Sequence, residues 1–166
     1  MKYYLKDAIE SDLASADEVA VAAFRQYSEE YDDWTAFSRN TKPMTSLFKS
    51  AELIVAAVED RIVGAVAYVG PGKLKGELFP AEWPVLRMLV VAPECRGRGI
   101  GRALSSECVR RALRDKASVI ALLTSKIMTV ALSMYERMGF CFERNVPPIY
   151  GVPYAVYVKH LDQNCA

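Results

Sequence analysis

The feature that most constrains the fold is one continuous stretch, residues 85–113, which combines an apolar run, a glycine-rich turn and a helical pattern. Residues 85–91 are nearly all apolar, which is typical of a strand buried on both faces. Pro93 ends that strand because proline has no backbone N–H to donate. Apolar residues then recur at helical spacing from Ile100 to Ala112. The stretch therefore predicts a strand, a turn and a helix in immediate succession.

The turn between this strand and this helix has the composition of an anion-binding site. Residues 96–102 contain three arginines and three glycines, namely Arg96, Gly97, Arg98, Gly99, Gly101 and Arg102. At the start of a helix, unpaired backbone N–H groups and the positive end of the helix dipole favour an anion, most naturally a phosphate. The glycines allow tight backbone geometry and the close approach of a ligand. We therefore predict a phosphate-binding turn.

Spacing distinguishes three known phosphate-binding loops. The P-loop pattern needs a lysine and then a hydroxyl residue after its last glycine, and neither occurs here. The dinucleotide pattern G-x-G-x-x-G fails because Arg102 or Leu104 stands where the third glycine belongs. The pattern that fits is R-x-x-G-x-G, made by Arg96, Gly99 and Gly101. With its preceding strand, it resembles the acetyl-CoA motif of the GNAT-type N-acetyltransferases.

A second segment, residues 131–140 with the sequence ALSMYERMGF, resembles the other signature of that family, A-x-x-x-Y-E-x-x-G-F. The two motifs follow each other in the family's order and with roughly its spacing. A surface turn whose arginines serve only solubility would explain the first motif alone, but it would not explain the pair. On both motifs the chain is identified as a member of the GNAT-type N-acetyltransferases, with the resemblance strongest over residues 54–140.

The resemblance implies a three-layer α/β (α+β) fold. In that fold a mixed sheet of about six to seven strands is flanked by about four helices and splays open between its two central parallel strands. Besides the stretch described above, strands are predicted at residues 3–9, 53–58, 62–69, 119–123 and 154–161, and from Phe140. Helices are predicted from Ser11 or Asp12 to about Glu30, from Lys42 or Pro43 to Ser50, and over 129–138. An exposed loop is predicted at 71–80, and residues 1–166 are expected to form a single domain.

In the resembling family, the splay holds the pantetheine arm of acetyl-CoA, the co-substrate, and the glycine-rich turn holds its pyrophosphate. The strand residues expected to pair with the arm are Leu89, Val90 and Val91. The residues expected around the pyrophosphate are Arg96, Gly97, Arg98, Gly99, Ile100, Gly101, Arg102 and Ala103. Arg96 is expected to support the turn or to contact a phosphate. Met128 stands where the family usually carries an asparagine, so one hydrogen bond to the cofactor is not expected here.

Acetyl transfer from a thioester to an amine needs aligned reactants, a base for the amine and an acid for the leaving thiolate. Tyr135 is the predicted acid because the matching tyrosine of the family faces the sulfur; a buried structural tyrosine is the alternative. The base stays open: Glu82 precedes the central strand, Glu77 lies in the loop before it, and water would relay the proton to either. Arg87 stands where some relatives carry an acid. A covalent route through Cys95 is disfavoured, because the phosphates would occupy the charges that activate its thiol.

Two aromatic segments are candidate walls for the acceptor. Residues 27–34 combine aromatic and acidic side chains, and Tyr31 and Trp34 are the predicted contacts; a solvated helix end is the alternative. Residues 147–153, a proline-rich segment with Tyr150, are predicted to form a loop that closes over the acceptor unless they only connect two strands. Carboxylates in the first segment favour a cationic amine. The expected acceptor is a small-molecule or peptide amine.

Composition limits the other classes of function. With 21 basic and 20 acidic residues and a net charge of +1, the chain has no overall field that would direct it to nucleic acid or to a membrane. One histidine and four cysteines without a C-x-x-C pair argue against a metal site. Cysteine usage and the polar N-terminus predict a cytoplasmic protein. The competing function is an acyl-CoA-binding regulatory or interaction module with the same fold, and a homodimer stays open.

Overall fold

The computed structural model describes residues 2–40 and 44–161 and shows a seven-stranded sheet in the order β1-β2-β3-β4-β5-β7-β6. The strands are β1 (Tyr4–Asp7), β2 (Glu52–Val58), β3 (Arg61–Val69), β4 (Val85–Val91), β5 (Val119–Thr124), β6 (Cys141–Ile149) and β7 (Val152–His160). The helices are α1 (Leu13–Phe24), α2 (Trp34–Asn40), α3 (Met44–Phe48), α4 (Ile100–Arg114) and α5 (Thr129–Arg137). The helices and the sheet form three layers, and the predicted fold class is confirmed.

The centre of the sheet is open where the splay was predicted. β4 and β5 run parallel but pair only at Val85 with Ala121 and at Leu86 with Leu122, whereas the other neighbouring strands are antiparallel. Beyond Leu86 the two strands diverge. This corrects the prediction that β4 is buried on both faces, because the opening leaves its third residue, Arg87, exposed.

The glycine-rich turn is fixed by backbone geometry and by close helix packing. Gly97 and Gly99 have backbone φ angles of +76° and +83°, values that residues with a Cβ rarely adopt. α4 then packs directly over β3, where a Cβ added to Gly64 would lie 3.1 Å from atoms of both Ile100 and Leu104. These two residues share one face of α4, so the apolar spacing seen in the sequence is the buried stripe that fixes the helix on the sheet.

The region after the first helix differs from the prediction. α1 ends at Phe24 and continues as a 3-10 turn over Arg25–Tyr27, so the helix does not reach Glu30. α2 was not predicted at all; the carboxylate of Asp33 accepts the N–H of Ala36 at 3.0 Å, as an N-cap does. The predicted starting residues of the next helix lie outside the described residues, and α3 confirms a helix within the rest of that range.

The proline-rich segment 147–153 is a β-hairpin, and its prediction as a loop was wrong. β6 runs through both prolines to Ile149, and Tyr150 and Gly151 form the turn, both with positive φ. The register shifts between Val146 and Ile149, and β6 is the edge strand of the sheet. Proline is tolerated there because an edge strand at a bulge has N–H groups that need no ladder partner.

The loop before β4 is not fully exposed, contrary to the prediction for residues 71–80. Lys75 is buried, and its ammonium donates to the carbonyls of Gly70, Lys73 and Ala81 at 2.7, 2.9 and 2.9 Å. Phe79 is buried as well and belongs to an aromatic part of the core. The loop therefore folds around one ammonium group.

No helix in residues 2–40 and 44–161 is long and apolar enough to span a bilayer.

Candidate active site

A cavity of about 1060 Å³ opens where β4 and β5 diverge. Its walls come from two parts of the core, and we name them by their lining. The splay side is lined by Leu89, Val91, Gly99, Gly101, Met134 and Tyr135. The aromatic side is lined by Phe24, Tyr27, Phe37, Leu78, Phe79 and Tyr154. The fold therefore joins the two sequence motifs in one concave site of the size typical of ligand pockets.

Unpaired backbone forms much of the splay side. In β4, Met88 has φ of +56°, and the register with β3 shifts between Val90 and Arg87. Met88 and Leu89 have no Cα partner in the described sheet on either side of β4. Because backbone polar groups require partners, this strand edge is ready to pair with an extended ligand.

The start of α4 supplies further free donors. Its N-cap is Gly99, which has no side chain to accept a hydrogen bond, and the first intrahelical bond joins the N–H of Ala103 to the carbonyl of Gly99 at 2.9 Å. The N–H groups of Ile100, Gly101 and Arg102 therefore have no acceptor within the helix. The sequence predicted this donor group, and all three residues line the cavity.

The predicted cofactor residues do not all reach the cavity. Leu89, Val90, Val91, Arg96, Gly97, Gly99, Ile100, Gly101 and Arg102 line it, whereas Arg98 and Ala103 do not. The guanidinium of Arg96 donates to the carbonyl of Ala23 near the end of α1, at 3.2 Å. Arg96 thus ties the turn to α1, which is the supporting role that the sequence left open.

Tyr135, the predicted acid, lies on α5 and is buried at 5% exposure while lining the cavity. Its ring packs edge-on against Phe140, with 5.7 Å between the ring centroids. Burial raises the pKa of the Tyr135 hydroxyl above its ordinary value. The hydroxyl therefore keeps its proton at neutral pH. Met128, the N-cap residue of the same helix, also lines the cavity, and its sulfur accepts the Thr124 hydroxyl at 3.9 Å.

The predicted acceptor contacts stand behind the aromatic side instead of facing the cavity. The ring of Tyr31 stacks on Phe37, with centroids 3.9 Å apart, and its hydroxyl is hydrogen-bonded to that of Tyr154. Burial, and then the bond to Tyr154, raises the pKa of Tyr31. Trp34 packs against Tyr31 and Phe37, and the hydroxyl of Tyr150 accepts the amide of Asn40 at 2.7 Å. Tyr31, Trp34 and Tyr150 support the residues that line the cavity.

Charge on the cavity wall has one sign. The ionic side chains that line it are Lys75, Arg87, Arg96, Arg102 and Arg137, and no carboxylate of the described residues lines it. Asp32, Asp33 and the predicted base Glu82 are exposed and lie outside the lining. This contradicts the expected acidic wall for a cationic amine. The unpredicted helix α2 explains the difference, because it turns its aromatic residues inward and leaves the carboxylates at its start exposed.

Comparison with known proteins identifies the same family as the two motifs that meet in this cavity. The profile of the acetyltransferase (GNAT) family matches residues 15–140. The chain belongs to this family. N-acetyltransferase family 8 member 3 of Rattus norvegicus is 34% identical to this GNAT chain over 86 residues, which are 52% of the chain and 36% of the relative. The match thus spans about a third of that relative's length.

Solved structures share the fold of this GNAT protein. A protein from Pyrococcus horikoshii OT3 has a TM-score of 0.76 and 19% identity, covering 97% of this chain and 99% of its own. The PaiA N-acetyltransferase from Thermoplasma acidophilum, solved in complex with coenzyme A, has a TM-score of 0.76 and 17% identity, covering 96% and 99%. The yncA protein of Salmonella typhimurium, solved with its cofactor acetyl-CoA, has a TM-score of 0.69 and 15% sequence identity. That match covers 99% of this chain and 96% of the yncA chain. At these identities the likeness concerns the fold.

Proposed function

We propose that this chain is an N-acetyltransferase that moves the acetyl group of acetyl-CoA directly to a primary amine. The observation that carries the proposal is the meeting of three features in one cavity: the unpaired backbone at Met88 and Leu89, the free N–H groups at the start of α4, and the hydroxyl-bearing Tyr135. Membership in the GNAT family and the two neighbours solved with coenzyme A or acetyl-CoA support the same ligand here.

The residues present fit acetyl-CoA, which supplies an activated acetyl group when bound. The N–H groups of Ile100, Gly101 and Arg102 suit a pyrophosphate, because a helix start carries partial positive charge and free donors. Gly101 keeps the approach to these groups open: the atoms nearest to an added Cβ there are 3.7 Å away. The backbone of residues 88–91 suits an extended amide-containing arm. Arg102 adds full positive charge beside the phosphate site.

Two proton transfers accompany the reaction, and the chain offers a group for one of them. We propose that Tyr135 donates a proton to the departing thiolate, because its side chain lines the cavity and its hydroxyl is protonated at neutral pH. For the amine, the positively charged wall is the relevant feature. Nearby positive charge lowers the pKa of an ammonium ion, so the site favours the neutral, nucleophilic amine. Glu82, the predicted base, would act only through water from outside the cavity.

A second candidate is an acyl-CoA-binding module without turnover. Met128 in place of the usual asparagine and the lack of a carboxylate in the described lining favour it. This candidate and the enzyme share the cofactor site and differ only in chemistry.

Two measurements test the proposed function. Calorimetric titration with acetyl-CoA should give one site per chain, and the cofactor should raise the melting temperature by linkage. Release of free thiol from acetyl-CoA should then depend on an added amine, and kcat/KM should rise with pH as the free amine is deprotonated. Binding without thiol release for any amine would favour the module. Absence of binding at millimolar acetyl-CoA would reject both candidates.

A further inference from the structure

Arg87 occupies a distinct position in the cavity. It is the third residue of β4, directly after the last pair with β5 at Leu86, and it lines the cavity. Alternation along a strand puts it on the same face as Val85, which packs with Phe79 and Tyr154 on the aromatic side. Val91 lies four residues farther along the strand, at most about 13 Å away, towards the phosphate-binding turn. Arg87 therefore belongs to the end of the cavity away from the start of α4.

The other cations of the wall already have hydrogen-bonding partners or a ligand in the proposed function. Lys75 donates to three carbonyls, Arg96 to the carbonyl of Ala23, and Arg137 to the hydroxyl of Ser133 at 2.6 Å. Arg102 lies beside the free N–H groups at the start of α4. Arg87 has no acceptor or ion-pair partner among the described residues. Elsewhere in the chain, arginines such as Arg111 and Arg114 are paired with carboxylates.

The guanidinium of Arg87 is exposed in the open cavity, where water can solvate it. A ligand that fills the cavity displaces that water, and the charge then needs an anion from the ligand to offset its desolvation. Partial enclosure lowers the pKa of Arg87, yet the group stays charged at any physiological pH. The planar fork of a guanidinium matches a carboxylate through two parallel hydrogen bonds. Leu89 lies two residues after Arg87, across the irregular backbone at Met88, so the two are at most about 7 Å apart along the strand. A ligand that spans the two residues can carry an anion and a reacting amine only a few bonds apart.

We propose that Arg87 binds the carboxylate of the acceptor, and that the acceptor is a free amino acid with an apolar or aromatic side chain. The inference rests on the proposed acetyl transfer and names the acceptor class for that same site. The carboxylate pairs with Arg87, the side chain packs against Phe79 and Tyr154, and the amine faces the splay side. In the transfer a nitrogen–carbon bond forms and the carbon–sulfur bond breaks. The amine proton goes to water, the thiolate takes a proton from Tyr135, and water then returns a proton to the Tyr135 hydroxyl.

A pair of acceptors that differ by one group tests the proposal directly. L-phenylalanine and 2-phenylethylamine have the same ring and the same amine, but only the first has a carboxylate. A charge-assisted pair typically contributes about 1.5–3 kcal/mol, so wild-type kcat/KM should favour L-phenylalanine by roughly 10- to 100-fold. Arg87→Met should remove that preference by lowering the value for L-phenylalanine, while the value for 2-phenylethylamine stays within about twofold. Arg87→Lys should restore part of it.

Arg61→Met is the matched control, because Arg61 is an exposed arginine that pairs with Glu94 and does not line the cavity. It should leave both acceptors unchanged. Equal losses on both acceptors in Arg87→Met would mean that Arg87 only supports the fold, and a wild-type preference for 2-phenylethylamine would exclude a carboxylate site. Either result overturns the proposal.

A binding measurement separates this proposal from the proposed function. Titration of L-phenylalanine and of 2-phenylethylamine into the chain saturated with coenzyme A needs no turnover. Tighter binding of L-phenylalanine by the wild type, lost in Arg87→Met, would support the carboxylate site even if no thiol were released. Equal binding of the two compounds, or binding of neither, would overturn it, whatever the chain does with acetyl-CoA.

Discussion

The splay side and the aromatic side of the cavity are built in different ways. The splay side uses backbone groups and glycines from the one stretch that runs from β4 into α4, together with α5. The aromatic side uses side chains from the end of α1, from α2, from the Lys75 loop and from the β6–β7 hairpin. Backbone donors suit a ligand that is always the same, such as a cofactor. Side chains can be substituted one at a time, so a site built from them can change its ligand. The difference indicates that the cofactor site is fixed by local geometry and that acceptor choice depends on long-range assembly.

The largest expected effect lies on the splay side. In Gly101→Val, the Cβ has room, with its nearest neighbours Met134 and Val91 at 3.7 Å, but the branched methyl groups cover the free N–H groups of α4. Acetyl-CoA affinity measured by calorimetry should fall roughly 1000-fold, as expected if two charge-assisted bonds of about 2 kcal/mol each are lost. Gly70→Val, with similar room at the far end of β3, should bind normally. Unchanged affinity in Gly101→Val would put the phosphates elsewhere.

Tyr135→Phe should change the chemical step and spare binding. The ring and its contact with Phe140 remain, and only the proton donor is lost. General acid catalysis contributes about 10²–10⁴-fold, and a thiolate is a fairly good leaving group, so single-turnover acetyl transfer should slow by about 100-fold. Acetyl-CoA affinity should be unchanged. Tyr157→Phe, outside the cavity lining, is the matched control. Wild-type chemistry in Tyr135→Phe would make this tyrosine a packing residue only.

Lys75→Met should affect the aromatic side alone. The three carbonyls that the ammonium holds lose a donor, and the loop that carries Leu78 and Phe79 loses its anchor. We expect the acceptor KM to rise about tenfold, with acetyl-CoA affinity unchanged, and the free energy of unfolding to fall by about 2 kcal/mol. Lys73→Met, an exposed neighbour, is the control. A matching loss of acetyl-CoA affinity would show that the two sides are not independent.

The smallest effect is expected for the acidic residues at the start of α2. Asp32 and Asp33 are exposed and outside the cavity lining, and solvent and salt screen such charges. Replacing both with asparagine, which is also a good helix N-cap, should change the acceptor KM by less than about twofold. A rise of several-fold, specific to the acceptor, would restore the acidic wall that the sequence indicated and would weaken the case for an anionic acceptor.

The same contrast explains what the sequence could predict. Strand β4, the glycine-rich turn after it and the buried stripe of α4 follow from local spacing, and the sequence predicted all three elements, although not the exposed position of Arg87 in β4. The position of Tyr135 in the cavity could be expected because a motif fixes its neighbours on one short helix. These features depend on residues close together in the chain.

The aromatic side was predicted poorly because its contacts are distant in sequence. Tyr31 meets Tyr154 across the fold, and its ring then faces Phe37 instead of the cavity. The two prolines of β6 indicated a loop, since only the position of β6 at the sheet edge makes them acceptable in a strand. Lys75 had one local signal, its position between Gly72 and Gly76, but nothing local predicts the three carbonyls that bury it.

The short pairing between β4 and β5 also has a consequence for dynamics. Two residue pairs join the block of strands β1–β4 to the block β5, β7 and β6, so the sheet contains a seam at its centre. Regions with few shared hydrogen bonds open at lower free energy and exchange their amide protons sooner. A ligand arm bound along β4 would supply part of the missing ladder and slow exchange on both sides of the seam. The two blocks of the sheet would then open less independently, so the unfolding of the ligand-bound protein should be more cooperative than that of the free protein.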